Sequence, residues 1–139
     1  MSTEENKAIV RRLFEELNKG NIDILDEIFA PDFINHHPAP GTTPDKEGVK
    51  QFIVTMHNTF SDYKWNVEDL IAESDKVVYR FNMQGTDTGG LMGMPPTGRK
   101  VVAEAIGIQR FANGKVVERW NIADSLGMLQ QLGIIPLMG

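Results

Sequence analysis

Residues 110–133 read RFANGKVVERWNIADSLGMLQQLG, and this stretch decides how the end of the chain folds. Within it, Ala-Asn-Gly at 112–114 predicts a tight turn, because Asn and Gly tolerate the positive φ that a hairpin needs. A strand is then predicted from Lys115 to about Ile122. Apolar residues at helical spacing follow, so a lone carboxylate, Asp124, lies where a strand ends and a helix begins.

Two interpretations of Asp124 are open. Successive side chains of a strand point to opposite faces, so Asp124 joins one face of this strand if the pleat continues. If that face lines an enclosed pocket, loss of water favours the protonated acid and suits Asp124 to moving protons near neutral pH. The position is also typical of a helix N-cap, which the spacing alone favours. The strand face that Asp124 would join carries Val116, Glu118, Trp120 and Ile122.

Length and composition predict one globular domain spanning residues 1–139, of which 41% are hydrophobic. The net charge of -5 and the absence of a basic block argue against a nucleic-acid partner. There is no cysteine, which excludes disulfides and thiolate chemistry. No apolar run approaches the roughly 20 residues of a membrane span, so we expect no membrane partner and a cytoplasmic location.

Helical patterns occupy the first sixty residues, and the period of the apolar residues changes to two after Ser61. The first predicted helix runs from Ser2 or Thr3 to Gly20, and a short second helix is capped by Asn21 and ended by Pro31. A loop is predicted at 32–41, and a third helix from about Lys46 to Thr59. The predicted strands run from Tyr63 to Ile71, Lys76 to about Asp87, Lys100 to Phe111 and Lys115 to Ile122, with a Gly- and Pro-rich excursion at 88–98.

This order predicts an α+β fold in which N-terminal helices pack on a curved, mainly antiparallel sheet of four or more strands that encloses a pocket. His36 and His37 are candidates for acid–base work, and no third ligand completes a metal motif, so we expect no metal. Gln109 and the polar row Arg80, Asn82, Gln84 and Thr86 would bind a substrate carbonyl or hydroxyl if they pointed inward. They could equally form the solvated outer face of the sheet or a dimer surface. The aromatic candidates for a pocket wall, or for simple core, are Phe14, Trp65 and Trp120.

Short motifs spread over nearly the whole chain point to a family. They are IVRRLF at 9–14, FINH at 33–36, GVKQF at 48–52, FSD at 60–62, GMPPTG at 93–98, RF at 110–111, NGKV at 113–116, Glu118, Trp120, Asp124 and QLG at 131–133. With them the chain resembles the SnoaL-like polyketide cyclases, which have the cone-shaped α+β fold of nuclear transport factor 2.

The resemblance implies roles for several residues. Asp124 would be the acid/base of an intramolecular aldol ring closure that needs no metal or organic cofactor, and His36 would lie near the pocket mouth. A homodimer through the convex face of the sheet is also implied. The chain departs from the family at Gly107, where cyclases carry a histidine, and at Asp87, where many members carry another.

The sequence therefore predicts a cofactor-free enzyme that acts by proton transfer on a small apolar molecule bearing carbonyl groups, in the manner of an aldol-type polyketide ester cyclase. Asp124 and His36 are the predicted catalytic residues. The alternatives are a non-catalytic ligand-binding or dimerisation module with Asp124 as a cap, and an isomerase or an epoxide hydrolase that would combine Arg110 with Asp124. The predicted substrate-binding residues are Asn35, His37, Phe14, Trp65, Gln109 and Trp120.

Overall fold

The computed structural model describes residues 2–137 and has helices on one side of a mixed five-stranded sheet. The predicted α+β class, with N-terminal helices packed on a mainly antiparallel sheet, is confirmed. In chain order the elements are α1 (Thr3–Asn18), α2 (Ile24–Ile28), β1 (Phe29–Asn35), α3 (Lys46–Thr59), β2 (Lys64–Glu73), β3 (Lys76–Thr86), β4 (Lys100–Ala112), β5 (Lys115–Ala123) and α4 (Ser125–Gln131).

The strand order is β1-β5-β4-β3-β2, with β1 parallel to β5 and every other neighbouring pair antiparallel. The first strand, β1, corrects the predicted loop at 32–41. Its sequence contains Pro31 and lacks a clear alternation, so nothing local marks it as a strand. It is formed by long-range pairing, in which Phe29 lies opposite Val116 and Asn35 lies opposite Arg119.

Two helices begin at side-chain caps that the sequence provides. Ser2 and Glu5 form a reciprocal capping box at the start of α1, and the Asp45 carboxylate accepts a hydrogen bond from the Gly48 amide at 3.0 Å at the start of α3. The predicted cap at Asn21 is wrong. There the main-chain oxygen of Asn21 accepts from the amide of Ile24 at 3.3 Å, so a backbone turn replaces the side-chain cap of α2.

We call the face of the sheet that packs on α1 the inner face, and the opposite face the outer face. Phe14 of α1 lies against this inner face, with its ring 5.5 Å from the ring of Tyr79 and 5.3 Å from that of Phe81. Along β4, burial alternates strictly, as expected for a strand with one covered face. The buried positions of β4 are Val101, Ala103, Ala105, Gly107, Gln109 and Phe111.

A β-bulge in β5 decides which side chains reach the inner face. Val116 pairs with Phe111 and Glu118 pairs with Arg110, so Val117 is an extra residue between them. Beyond this residue the two faces of β5 are exchanged relative to a regular strand. Val116 is fully buried, whereas Ile122, which the alternation placed on the same face, is 60% exposed.

The excursion between β3 and β4 is held by Asp87, which is 1% exposed. Burial alone would raise the pKa of this carboxyl, but hydrogen bonds from the Thr97 amide and hydroxyl and from the Gly90 amide lower it overall. The carboxylate that stands in place of a family histidine therefore anchors a loop. Within residues 2–137, none of the helices has the length and apolar character needed to cross a membrane.

Candidate functional site

Four polar side chains meet on the inner face, and we call them the inner polar cluster: Tyr79, Gln109, Arg119 and Asn121. The register of the sheet brings them together. Gly107 lies opposite Tyr79 on one side and opposite Asn121 on the other. Two residues further along β4, Gln109 lies opposite Arg119. The bulge in β5 turns Arg119 and Asn121 inward, so both belong to the cluster only because of that extra residue.

The missing side chain of Gly107 makes room for this arrangement. A Cβ built on Gly107 would lie 2.1 Å from Oδ1 of Asn121 and 2.4 Å from the hydroxyl oxygen of Tyr79. The Tyr79 hydroxyl donates a hydrogen bond to Oδ1 of Asn121 at 3.2 Å. The space that a side chain at 107 would need is thus filled by a phenol and an amide from the neighbouring strands.

The inner polar cluster contains a half-buried cation and a neutral phenol. Burial raises the pKa of Tyr79, an effect that the positive charge of Arg119 and a contact with Gln109 partly offset. Tyr79 therefore keeps its proton at neutral pH and serves as a hydrogen-bond donor. Burial also lowers the pKa of Arg119, but an arginine remains charged at neutral pH.

The hydrogen bonds of the cluster are incomplete. Gln109 is 1% exposed, and within residues 2–137 neither its Nε2 nor its Oε1 has a hydrogen-bond partner. Nε of Arg119 is likewise buried and unpartnered in the described chain. Buried polar groups in proteins are nearly always hydrogen-bonded, and an unmatched one is costly. An oxygen-bearing group of a ligand would satisfy these unpartnered atoms.

Asp124 has the geometry of a helix cap. Its Oδ1 accepts a hydrogen bond from the Gly127 amide at 2.9 Å, and its own amide donates to the Glu104 carbonyl at 2.9 Å. The residue is exposed, so the protein itself does not remove water from the carboxylate. Only Oδ1 is engaged in the described chain, and Oδ2 remains free of hydrogen bonds.

His36 and Trp120 lie together on the outer face. Their rings stack with a centroid distance of 4.7 Å and an interplanar angle of 7°, and Nε2 of His36 lies 2.7 Å from Oε2 of Glu118. The expectation that Trp120 and Glu118 share the inner face is corrected by the bulge. Hydrogen bonds from His36 and Arg110 lower the pKa of Glu118. Arg110 is bound to Glu118, not to Asp124, so the arrangement proposed for an epoxide hydrolase is not formed.

Asn35 and His37 connect β1 to the inner polar cluster. Asn35 is buried, and its Oδ1 accepts from the amide of His37 at 3.1 Å. Nδ1 of His37 accepts from the amide of Asn121 at 3.1 Å. These contacts fix the backbone of Asn121, so the two residues support the cluster from the neighbouring strand.

Phe14 and Trp65 are buried core residues, 6.4 Å apart between ring centroids. They also border a groove of about 310 Å³ between α1 and β2, whose rim includes Arg11 and Glu15. The polar row on β3 lies on the outer face, where Arg80 is bound to Glu68 and Asp69. Across residues 2–137, no group of three His, Asp or Glu side chains is arranged to hold a metal ion.

The sequence identified one member of the inner polar cluster, Gln109, and missed Tyr79, Arg119 and Asn121. Tyr79 is part of an alternating strand pattern and looks like ordinary core. The two residues of β5 were assigned to the opposite face because the alternation was continued through Val117. A valine pair followed by a glutamate is no recognisable bulge signal, so only the pairing with β4 reveals it.

Comparisons with known proteins agree with this fold. A sequence model of SnoaL-like polyketide cyclases matches residues 8–132. Aklanonic acid methyl ester cyclase AcmA from Streptomyces galilaeus is 32% identical over 135 residues, which cover 93% of this chain and 91% of AcmA. The crystal structure of IdmH from Streptomyces antibioticus, a proposed polyketide cyclase, superposes with a TM-score of 0.81 at 34% identity, covering 91% of this chain and 96% of IdmH.

The structure of AclR from Streptomyces galilaeus, a proposed hydroxylase, superposes with a TM-score of 0.88 at 25% identity, covering 99% of this chain and 87% of AclR. One fold therefore serves proteins to which different reactions are ascribed. The family itself is decided by the sequence match, which extends from α1 to the end of α4. This chain belongs to the SnoaL-like polyketide cyclase family.

Proposed function

We propose that this protein is a cofactor-free cyclase that closes a carbon–carbon bond within a small, largely apolar molecule bearing carbonyl groups. The observation that carries the proposal is the inner polar cluster, in which the side-chain amide of Gln109 and Nε of Arg119 are buried without a partner in the described chain. Pre-arranged donors of this kind stabilise the negative charge that develops on oxygen in an aldol reaction. Membership of the cyclase family supports the same chemistry.

In the proposed reaction Asp124 acts first as a base and then as an acid. Its carboxylate removes a proton from the carbon next to one carbonyl, and the resulting enolate carbon attacks a second carbonyl carbon of the same molecule. The alkoxide so formed takes the proton back, which leaves a product of unchanged composition and a regenerated carboxylate. The cap hydrogen bond engages only Oδ1, so Oδ2 is available to receive the proton.

The donors lie within β5, whereas the base follows its end: Asp124 comes three residues after Asn121, about 10 Å further along the chain. The backbone leaves the strand at Asp124, with φ -77° and ψ 71°, to begin α4, so Asp124 is not part of the alternation that turns Asn121 inward. A substrate held by the inner polar cluster would have to extend over that length to reach Asp124. Asp124 is exposed. The bound substrate would therefore itself displace water from the carboxylate before the proton is transferred.

The Asp124→Asn variant tests this proposal. Asparagine is as good an N-cap as aspartate, so the cap hydrogen bond is retained while the proton acceptor is lost. With aklanonic acid methyl ester and the corresponding free acid as trial substrates, chromatography would separate from each a cyclised product of equal mass. We expect Asn to slow product formation about 10²–10⁴-fold, the usual contribution of a positioned acid or base.

Asp124→Ala provides the matched control for stability. It removes the cap as well as the carboxylate and should lower the free energy of unfolding by about 1 kcal/mol, whereas Asn should leave the melting temperature unchanged. Equal rates for wild type and Asp124→Asn would assign the residue to capping alone.

A non-catalytic ligand-binding module is the second candidate, and the exposed cap geometry of Asp124 favours it. In that case the inner polar cluster would bind its ligand without converting it. The wild-type protein would then bind a trial substrate, which a shift of the melting temperature would show, and would leave it unconverted. Formation of the cyclised product by wild type and not by Asp124→Asn would exclude this candidate.

We further propose that the protein works in the cytoplasm as a homodimer formed through the outer face. Support comes from the exposed apolar side chains of neighbouring strands, since Ile106 and Ile122 pair across β4 and β5 and are 50% and 60% exposed. Ile106→Glu should convert the dimer to a monomer in sedimentation velocity. Val54→Glu, on the exposed side of α3, is the matched control and should leave the sedimentation coefficient unchanged.

A further inference from the structure

We infer that Arg119, assisted by Gln109 and Tyr79, binds a free carboxylate of the substrate at the inner end of the site. The inference rests on the proposed function in taking the inner face as the substrate site, and it adds the chemical class of the group bound there. The relative AcmA is named for a methyl ester. The cation on β5 of this chain would instead select molecules in which an acid is free.

The first argument is the charge state of Arg119. Among the arginines of the described chain, Arg12, Arg80 and Arg110 are each held by a carboxylate. Arg11 and Arg99 have no such partner, but they are exposed and hydrated. Arg119 differs from both groups, because its Nε is buried and neither a carboxylate nor a hydrogen-bond acceptor of residues 2–137 meets it. A half-buried cation with one N–H cut off from water is stabilised by an anion nearby.

The second argument is the set of groups around Arg119. Its cross-strand neighbours, Gln109 on β4 and Asn35 on β1, are neutral amides, and the phenol of Tyr79 is close enough for the arginine charge to affect its pKa. Within residues 2–137, no carboxylate completes this set. The anion is therefore left for the ligand to supply.

The third argument is the match of donors. Nε2 of Gln109 is buried without a partner in the described chain and can donate to the same oxygen group as Arg119. A guanidinium presents N–H groups in a planar fork that fits both oxygens of a carboxylate, whereas an ester offers no negative charge. The cluster thus distinguishes an acid from its methyl ester by charge and by hydrogen-bond count.

A matched pair of probes tests the inference without requiring turnover. The affinities of 2-naphthoate and methyl 2-naphthoate would be measured by isothermal titration calorimetry at neutral pH. Wild type should bind the acid at least about tenfold more tightly than the ester, a difference that corresponds to one charge-assisted contact. Arg119→Gln should abolish the preference, and Arg11→Gln, which removes the same charge from the groove between α1 and β2, should keep it.

Equal affinity for acid and ester, loss of the preference in Arg11→Gln, or no binding of naphthoate by wild type at millimolar concentration would each overturn the inference. If Arg119→Gln does not fold, Gln109→Met takes its place. Replacing an unpartnered amide by an apolar group of similar shape should maintain or raise the melting temperature while weakening naphthoate binding. A lowered melting temperature with unchanged binding would identify the amide as structural and contradict the inference.

The experiments distinguish a failure of this inference from a failure of the cyclase proposal. A protein that prefers the acid but forms no cyclised product would retain the carboxylate site and refute the proposed reaction. A protein that cyclises esters and shows no preference for acids would support the proposed reaction and refute the carboxylate site.

Discussion

The substitution Gly107→Ala tests whether Tyr79 and Asn121 occupy the space that a family histidine would take. A Cβ at 107 would lie 2.4 Å from both Cζ and the hydroxyl oxygen of Tyr79 and 2.1 Å from Oδ1 of Asn121, and real Cβ contacts essentially never fall below 3.0 Å. The amide of Asn121 ends a side chain that can rotate. The ring of Tyr79 cannot move as easily, since it packs 5.5 Å from Phe14 and 5.4 Å from Phe81.

The expected cost follows from these contacts. Overpacking a tight core site costs about 1–3 kcal/mol, and the upper part of that range applies because an aromatic ring has to shift. Replacing glycine in a strand regains about 0.5–1 kcal/mol, which leaves a net loss of about 2 kcal/mol. With about 2.1 cal/mol/K of unfolding entropy per residue and 139 residues, the melting temperature should fall by about 7 °C.

Urea unfolding of four proteins measures the effect: wild type, Gly107→Ala, Tyr79→Leu and the double variant. Tyr79→Leu is destabilising by itself, but it removes the ring atoms that the new methyl group would meet. In its background Gly107→Ala should cost about 1–2 kcal/mol less than in wild type, a coupling of the size found between contacting residues. If Gly107→Ala is neutral in wild type, or if the two substitutions are additive, the ring does not fill the space above Gly107.

Three further predictions concern stability. Asp87→Asn should lower the free energy of unfolding by about 2–3 kcal/mol, because both carboxylate oxygens accept from amides and an NH₂ group would face one of them; thermal unfolding checks it. The pKa of Glu118 is lower in the folded protein than in the unfolded chain, where it is about 4.3. Its ionised form therefore stabilises the fold above that pH, and this stability is lost as the pH falls through the folded pKa. Glu118→Gln should flatten the acid side of a plot of the urea midpoint against pH. Ser2→Ala removes the capping box and should cost about 1 kcal/mol by chemical unfolding, without changing the slope of the transition.

Most of the fold could be predicted because its signals are local. The ends of α3 were predicted to the residue, and those of β3 and β4 within a residue, since Gly, Asp and Ser clusters mark the turns between runs of alternating residues. In contrast, β1 contains Pro31 and borders the adjacent histidines, so it looked like a loop. It exists because β5 offers it a parallel edge more than eighty residues later in the chain, and no local pattern contains that information.

The candidate site was harder to predict because it depends on the relation between two strands. Gln109 was a candidate only if its strand face pointed inward, and the structure shows that it does, because β4 alternates without interruption. Tyr79 was hidden among residues typical of core, and its role appears only when Gly107 is found opposite it. Whether Asp124 is catalytic stays a prediction. Its cap hydrogen bond is present, as the helical pattern that follows it in the sequence indicated.

The bulge at Val117 connects the fold to the proposed chemistry. Without the extra residue, Glu118 and Trp120 would point inward and Arg119 and Asn121 would point to the outer face. The inner face would then contain a carboxylate beside Gln109, which would repel an enolate or a carboxylate group of a ligand. With the bulge, Glu118 holds His36 and Arg110 on the outer face, and the inner face gains a cation and an amide next to a protonated phenol. One extra residue in β5 thus changes the sign of the charge that a ligand would meet on the inner face.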